Sequence, residues 1–264
     1  MNLRLPLIIK ILFLSSFQYL YADYSSRDEV NNFIEYMSEK HEFSKSELKN
    51  LFDQAEYQEK VVRIMNRQPE GTMTWGRYKG IMINDSRISA GKEFIESYGN
   101  ELKRAEDIYG VPAEIIASII GIETRYGRIK GNTRVIDSLS TLAFDYPRRA
   151  KFFKIQLEEF LLLSREEKFN PEEIKGSIAG AMGYGQFMPD SYRNYAVDFD
   201  KDGVRDILNN PVDAIGSVAN FLNKKGKWKP NTPVAIKARA VNHTSLTSCH
   251  GTAYCTLRSL WASH

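Results

Sequence analysis

The chain has 264 residues, 42% of them hydrophobic and 26% charged, enough for one large hydrophobic core or two closely packed ones. A formal net charge of +3 excludes the strongly basic balance of a nucleic-acid binder. The charge is unevenly spread: all 33 acids lie from Asp23 to Asp213, and the chain beyond carries Lys and Arg only.

Residues 1–22 read as a secretory signal peptide. Arg4 supplies the positive start, an apolar run follows, and Ala22 is the small residue before the cut. Lys10 interrupts the run and Leu20 is not ideal three residues before the cut, so an uncleaved membrane anchor is the alternative. No cysteine follows the run to take a lipid.

Helix signals begin at once. Ser26 with Glu29 reads as a capping box ahead of Val30, Phe33, Ile34 and Met37. Ser44 with Glu47 repeats the device ahead of Leu48, Leu51, Phe52 and Ala55. Residues 71–90 show no helical period and are expected as loop or short extended segments. Helix returns over 91–109 through Phe94, Ile95, Tyr98, Leu102 and Ile108. In VPAEIIASIIGIETRYG, residues 111–127, Pro112 suits the first helical position and Gly127 the C′ position. A long helix is expected over about 146–168, and Asn210 with Pro211 starts another that stops at Gly226. With little strand signal the class is mainly α. The last segment, 241–264, holds both cysteines, Cys249 and Cys255, and three of the four histidines, with no period of either kind. Two readings stand for it: a flexible tail or one pinned by a Cys249–Cys255 disulfide, and an out-of-frame or truncated end.

Four stretches carry chemistry. Glu123 follows Ile116, Ile119 and Ile120 at helical spacing, which places a carboxylate on an apolar face, raises its pKa and suits a general acid. The alternative is a structural acid paired with Arg125 or Arg128. GSIAGAMGYGQFMPDSY, 176–192, brings small residues for close backbone approach, with Ser177, Tyr184 and Gln186 as polar groups; simple helix packing is the alternative. Arg148 and Arg149 sit at a helix start, where cations oppose the dipole, and point to a carboxylate partner or to plain solvation. Asp198, Asp200, Asp202 and Gly203 match the start of an EF-hand loop, but position twelve is Asn209, so a Ca²⁺ site closed by Asp213 competes with a metal-free turn.

Taken together, GIETRYG, YPRRA, GSIAGAMGYGQFMP and AVDFDKDGVRDI with NNPVDAIGSVANFL resemble the B-type membrane-bound lytic murein transglycosylases. The resemblance covers roughly residues 30–240 and is most specific over 107–226. It implies a lysozyme-like catalytic core over 107–240, with the EF-hand-like loop at 198–213 and an additional helical region over 23–106. It implies a periplasmic envelope enzyme acting on peptidoglycan glycan strands, in company with other cell-wall enzymes. Members cleave the MurNAc–GlcNAc β-1,4 bond and leave a 1,6-anhydro-MurNAc end. Carried over, Glu123 is the single acid and then base. Ser177, Tyr184, Gln186 and Tyr78 line the sugar cleft, and Arg148 and Arg149 face muramyl lactyl or peptide carboxylates. Asp198, Asp200, Asp202, Asp213 and the Val204 carbonyl hold Ca²⁺; no organic cofactor is expected. Phe221 stands where the family commonly has Tyr, and the family continues beyond the end of this chain. That difference and the unusual tail motivate a rival reading, a peptidoglycan-binding scaffold with an impaired site. A hydrolytic muramidase is a third, which needs a second acid that no motif nominates.

Overall fold

The computed structural model describes residues 24–67 and 73–232. The signal-peptide expectation, the Cys249–Cys255 pairing and most of the 241–264 reading lie outside the described residues. After a 3-10 turn at Tyr24–Ser26 the helices are α1 (Asp28–His41), α2 (Lys45–Asp53), α3 (Glu59–Met65), α4 (Trp75–Met82), α5 (Asp85–Ser97), α6 (Gly99–Tyr109), α7 (Ala113–Thr124), α8 (Val135–Phe144), α9 (Ala150–Glu167), α10 (Pro189–Tyr195) and α11 (Pro211–Lys224). Two dipeptide strands, β1 (Thr133–Arg134) and β2 (Lys175–Gly176), pair antiparallel, Thr133 opposite Gly176. The mainly helical class is as the periodicity predicts.

Several boundaries agree with the sequence signals. Ser44 caps α2 by accepting the Glu47 N–H, and Asn210 caps α11 by accepting that of Val212. Others differ. Arg27, not Ser26, is the N-cap of α1, and its guanidinium reaches Asp145 at 2.9 and 3.1 Å. The expected loop at 71–90 is instead α4 and the first part of α5, capped by Thr74 and Asn84. No residue of α4 is buried, so it has no apolar stripe to betray it. The single helix expected at 91–109 breaks between Ser97 and Gly99. Pro112 is the N-cap of α7 rather than its first helical residue.

One contiguous hydrophobic cluster runs from Tyr24 to Ala219. Its axis is α8, all ten of whose residues are buried. Helix α9 packs along α8, and the N-terminal segment bonds two of α8's buried polar residues, Asp137 and Thr141. Asp137 takes two bonds from Arg134, at 2.8 and 2.9 Å, and one from the Glu56 N–H at 2.9 Å. The Thr141 hydroxyl accepts from Gln58 N–H at 3.0 Å. A buried polar group without a partner costs about 1–3 kcal/mol, so these bonds fix how the N-terminal helices lie on the core. Among the described residues no helix is long and apolar enough to cross a membrane.

Candidate active site

Helix α7 ends where its apolar face runs out. Ile116, Ala117, Ile120, Gly121 and Thr124 are buried, while Glu123 is exposed at the edge of that face beside half-buried Ile119. The carboxylate thus lies at the margin of the apolar face, flanked by isoleucines and open on one side. Flanking is still enough that loss of hydration raises the Glu123 carboxyl above the ordinary glutamate value. No hydrogen bond or ion pair with a described residue offsets this. Arg128 pairs with Glu93 at 3.7 Å instead.

The chain leaves α7 through three consecutive residues at positive φ, Arg125 at 50°, Tyr126 at 60° and Gly127 at 83°. Arg125, and not a residue next to Gly127, is therefore the C-cap. The cause is tertiary. The Tyr126 ring is wedged between α5 and α7, where a Cβ on Gly91 or Gly121 would come within 2.4 Å of it. Gly127 in turn lies flat against the Tyr184 ring, 2.0 Å from where its own Cβ would sit.

Thr124 joins this turn to the glycine-rich loop. Its Oγ1 accepts the Gly127 N–H at 2.9 Å and lies 2.9 Å from the Tyr184 carbonyl, to which it donates. Gln186 closes the same corner: its Nε2 donates to the carbonyls of Lys130 at 3.1 Å and Gly183 at 3.0 Å. Two acceptors facing one amide end assign that end as nitrogen and leave Oε1 turned away. Lys130 donates through Nζ to Leu208 O at 2.6 Å and lies 4.9 Å over the Tyr184 ring. Burial, aided by the charge of Asp206, raises the Tyr184 phenol pKa. Ser177 Oγ accepts the N–H groups of Ala179 and Ala181 at 3.2 and 3.0 Å, which curls the loop 177–181 and leaves its own proton available.

Glu123, Tyr184 and Gln186 are thus assembled around one corner, with Ser177 tied in through β2. Two sets of expected residues stand apart from it. Tyr78 is exposed on α4, stacked on Trp75 with centroids 6.1 Å apart. Arg148 and Arg149 are exposed on the 3-10 turn Pro147–Arg149, where Arg149 lies 4.3 Å over the Phe152 ring. Phe221 packs between Phe187 and Tyr195, at 5.3 and 5.4 Å. Thr124 and Lys130 are residues of the corner that sequence reasoning missed. A threonine beside the acid at a helix end was the available hint for the first; nothing local marks the second.

The acidic loop lies behind this corner. Carboxylate oxygens of Asp198, Asp200 and Asp202 gather within 4.8 Å of one another. Backbone N–H groups of Asp202, Gly203 and Val204 donate to these carboxylates. Asp213 is fully buried and accepts the N–H groups of Phe199 at 2.7 Å and Asp206 at 2.8 Å. Three converging acids on oxygen-only ligands suit a hard divalent cation, which would remove their mutual repulsion.

Comparison with known proteins places the chain in a family. The chain is 44% identical over 226 residues to membrane-bound lytic murein transglycosylase B of Escherichia coli (strain K12), an alignment covering 82% of this chain and 62% of that protein. The chain thus spans about three-fifths of that relative's length. Among solved structures, soluble lytic transglycosylase SltB1 from Pseudomonas aeruginosa is 48% identical, with a TM-score of 0.75 over 78% of this chain and 69% of that one. The Escherichia coli lytic transglycosylase Slt35 in complex with calcium is 46% identical, with a TM-score of 0.76 over 80% of this chain and 67% of that one. The transglycosylase SLT domain profile matches residues 25–262, and the chain belongs to that family.

Proposed function

We propose that this protein is a lytic transglycosylase that cleaves the MurNAc–GlcNAc β-1,4 bond of peptidoglycan and leaves a 1,6-anhydro-MurNAc end. The observation that carries this is Glu123: an unpaired carboxylate with a raised pKa, open on one side, beside a loop whose backbone and aromatic ring form a shallow wall. Protonated Glu123 gives its proton to the glycosidic oxygen as the C1–O bond breaks, and the MurNAc N-acetyl carbonyl stabilises C1. The Glu123 carboxylate then takes the C6 hydroxyl proton while O6 bonds to C1. No water enters, so no second acid is required, unlike the two-carboxylate hydrolases. One group serving as acid and then base needs a pKa near the working pH, and partial desolvation moves Glu123 upward in that direction.

Tyr184, Gln186 and Ser177 would line the sugar site. Tyr78, Arg148 and Arg149 would contact it from α4 and from the turn before α9. Asp198, Asp200 and Asp202, with the Val204 carbonyl, would hold Ca²⁺; Asp213, expected as the ligand that closes the site, has its two oxygens on the Phe199 and Asp206 N–H groups and would order the loop from behind instead, while the ion neutralises the acids and stiffens the turn. The lysozyme-like core is assigned to 107–240 and the supporting helices to 23–106. The relatives' names support an envelope location, with the protein in the periplasm after cleavage of residues 1–22, or anchored in the inner membrane if they remain. Digestion of purified sacculi by the wild type and by Glu123→Gln tests the reading. Products lighter by one water than reducing MurNAc, lost in Glu123→Gln, are expected. Reducing ends would mean a hydrolase, and binding without products would favour the impaired scaffold.

A further inference from the structure

A second cavity opens one turn of chain beyond Glu123. It lies between the start of α5 and the segment that follows α7, and its volume is about 120 Å³. Asn84, Ser86, Arg87, Arg125, Tyr126 and Arg128 line it. Three arginines therefore border one small space. Among the described residues the only acid paired with any of them is Glu93, 3.7 Å from Arg128, and both members of that pair are largely exposed. Among the described residues Arg125 has no ion pair.

Arg87 is the most telling of the three. Its Nε is buried with no hydrogen-bond partner, and one terminal nitrogen is spent on the Met82 sulfur at 3.3 Å, a weak acceptor. Its charge is felt by the Tyr126 hydroxyl. A buried donor on a permanent cation costs more than an ordinary unpaired group, and like charges around one cavity add to that cost. An anion in the cavity relieves both. The space has room for roughly four waters, which accommodates a carboxylate and a few attached atoms but not a sugar ring.

We infer that this cavity is an anion subsite that takes a carboxylate of the peptidoglycan stem peptide. The inference rests on the transglycosylase reading, since it is that substrate which brings acidic peptides to within a few residues of Glu123. Arginine suits the task because its planar fork meets a carboxylate with two parallel bonds.

Two measurements test it on the full chain. In the first, the free tripeptide L-alanyl-D-isoglutamyl-diaminopimelate is titrated in while the arginine side-chain Nε–H NMR signals are followed. In the second, kcat/KM for anhydro-end formation is compared on peptide-bearing strands and on strands stripped of peptide by an amidase. The Arg87 signal is expected to move with the tripeptide. The peptide-bearing to peptide-free ratio is expected to fall about tenfold in Arg87→Gln and in Arg128→Gln. Arg128 is 65% exposed, so its variant keeps the fold even if Arg87→Gln does not. An Arg87 signal unmoved at millimolar tripeptide, or a ratio unchanged in Arg128→Gln, overturns the subsite. If the wild type makes no anhydro ends from either strand, the transglycosylase reading fails, and the titration alone then decides the subsite.

Discussion

Replacing Thr124 by Val removes one oxygen from the corner that holds Glu123 and keeps the side chain's shape. Thr124 is 1% exposed, so water cannot take the place of the lost hydroxyl. Two groups lose their partner, the Gly127 N–H and the Tyr184 carbonyl, each 2.9 Å from Oγ1. The Ile120 carbonyl, 3.1 Å away, does not, because it also accepts the Tyr126 N–H. Each stranded group costs about 1–3 kcal/mol, and the added methyl returns less than about 1 kcal/mol, so the variant should lose about 1–5 kcal/mol. Thr124→Ser keeps the hydroxyl and loses only a buried methyl, for about 1 kcal/mol. Urea unfolding of the three proteins measures this directly, as a fall in midpoint at constant slope. The hydrogen-bond account is refuted if Thr124→Val is as stable as Thr124→Ser.

Other perturbations read different links of the same site. Because the folded-state pKa of Glu123 is raised, its contribution to stability is present below the unfolded value and lost as pH rises through the folded one. Glu123→Gln should therefore be more stable than the wild type at pH 7, with the gap closing below the unperturbed glutamate value of about 4.3; an equal gap at both ends would sink this. Lys130→Met removes the 2.6 Å bond to Leu208 O and the cation over Tyr184 and should cost about 1–2 kcal/mol, with Lys130→Arg recovering part of it. Faster amide exchange at Leu208 and Tyr184 in the Met variant would report the loosened contact. Added Ca²⁺ should raise the wild-type Tm and leave that of Asp198→Asn with Asp202→Asn unmoved; a flat wild-type response would remove the ion from the loop.

How much of this was legible in the sequence depended on whether the cause was local. The caps at Ser44 and Asn210 are local, and α2 and α11 begin where those residues place them. Helix α4 was missed because hydrophobic periodicity reports burial, and this helix buries nothing; its cap, Thr74, was the remaining sign. The break at Gly99 was hidden by the apolar residues Phe94, Tyr98 and Leu102, which run on across it. The end of α7 was misplaced because Gly127 looks like a terminator. Arg125 and Tyr126 in fact turn first, so that the Tyr126 ring can enter the gap left by Gly91 and Gly121, 30 positions apart. Glu123 was found from its neighbours on the helix, yet its exposure depends on how wide the buried face is, which only packing decides.

The distant acidic loop and the carboxylate belong to one mechanical unit. Ile207 O accepts the Tyr184 N–H at 3.1 Å and Leu208 O accepts Lys130 Nζ, so the closing turn of the loop grips the wall of the cleft from behind. Tyr184 then passes its position to Thr124 and Gly127, on the turn that carries Glu123. Each link is a hydrogen bond or a contact that a Cβ would block, and none depends on the side chain of Glu123. The acid can therefore lie unpaired, with its pKa raised, because the turn beneath it is held by other groups. A second carboxylate beside it would bring a charge that Glu123 would answer by shifting its pKa further. Anchoring the turn through Thr124 hydroxyl and backbone bonds fixes the geometry while adding no charge to the group that must both give and take the proton.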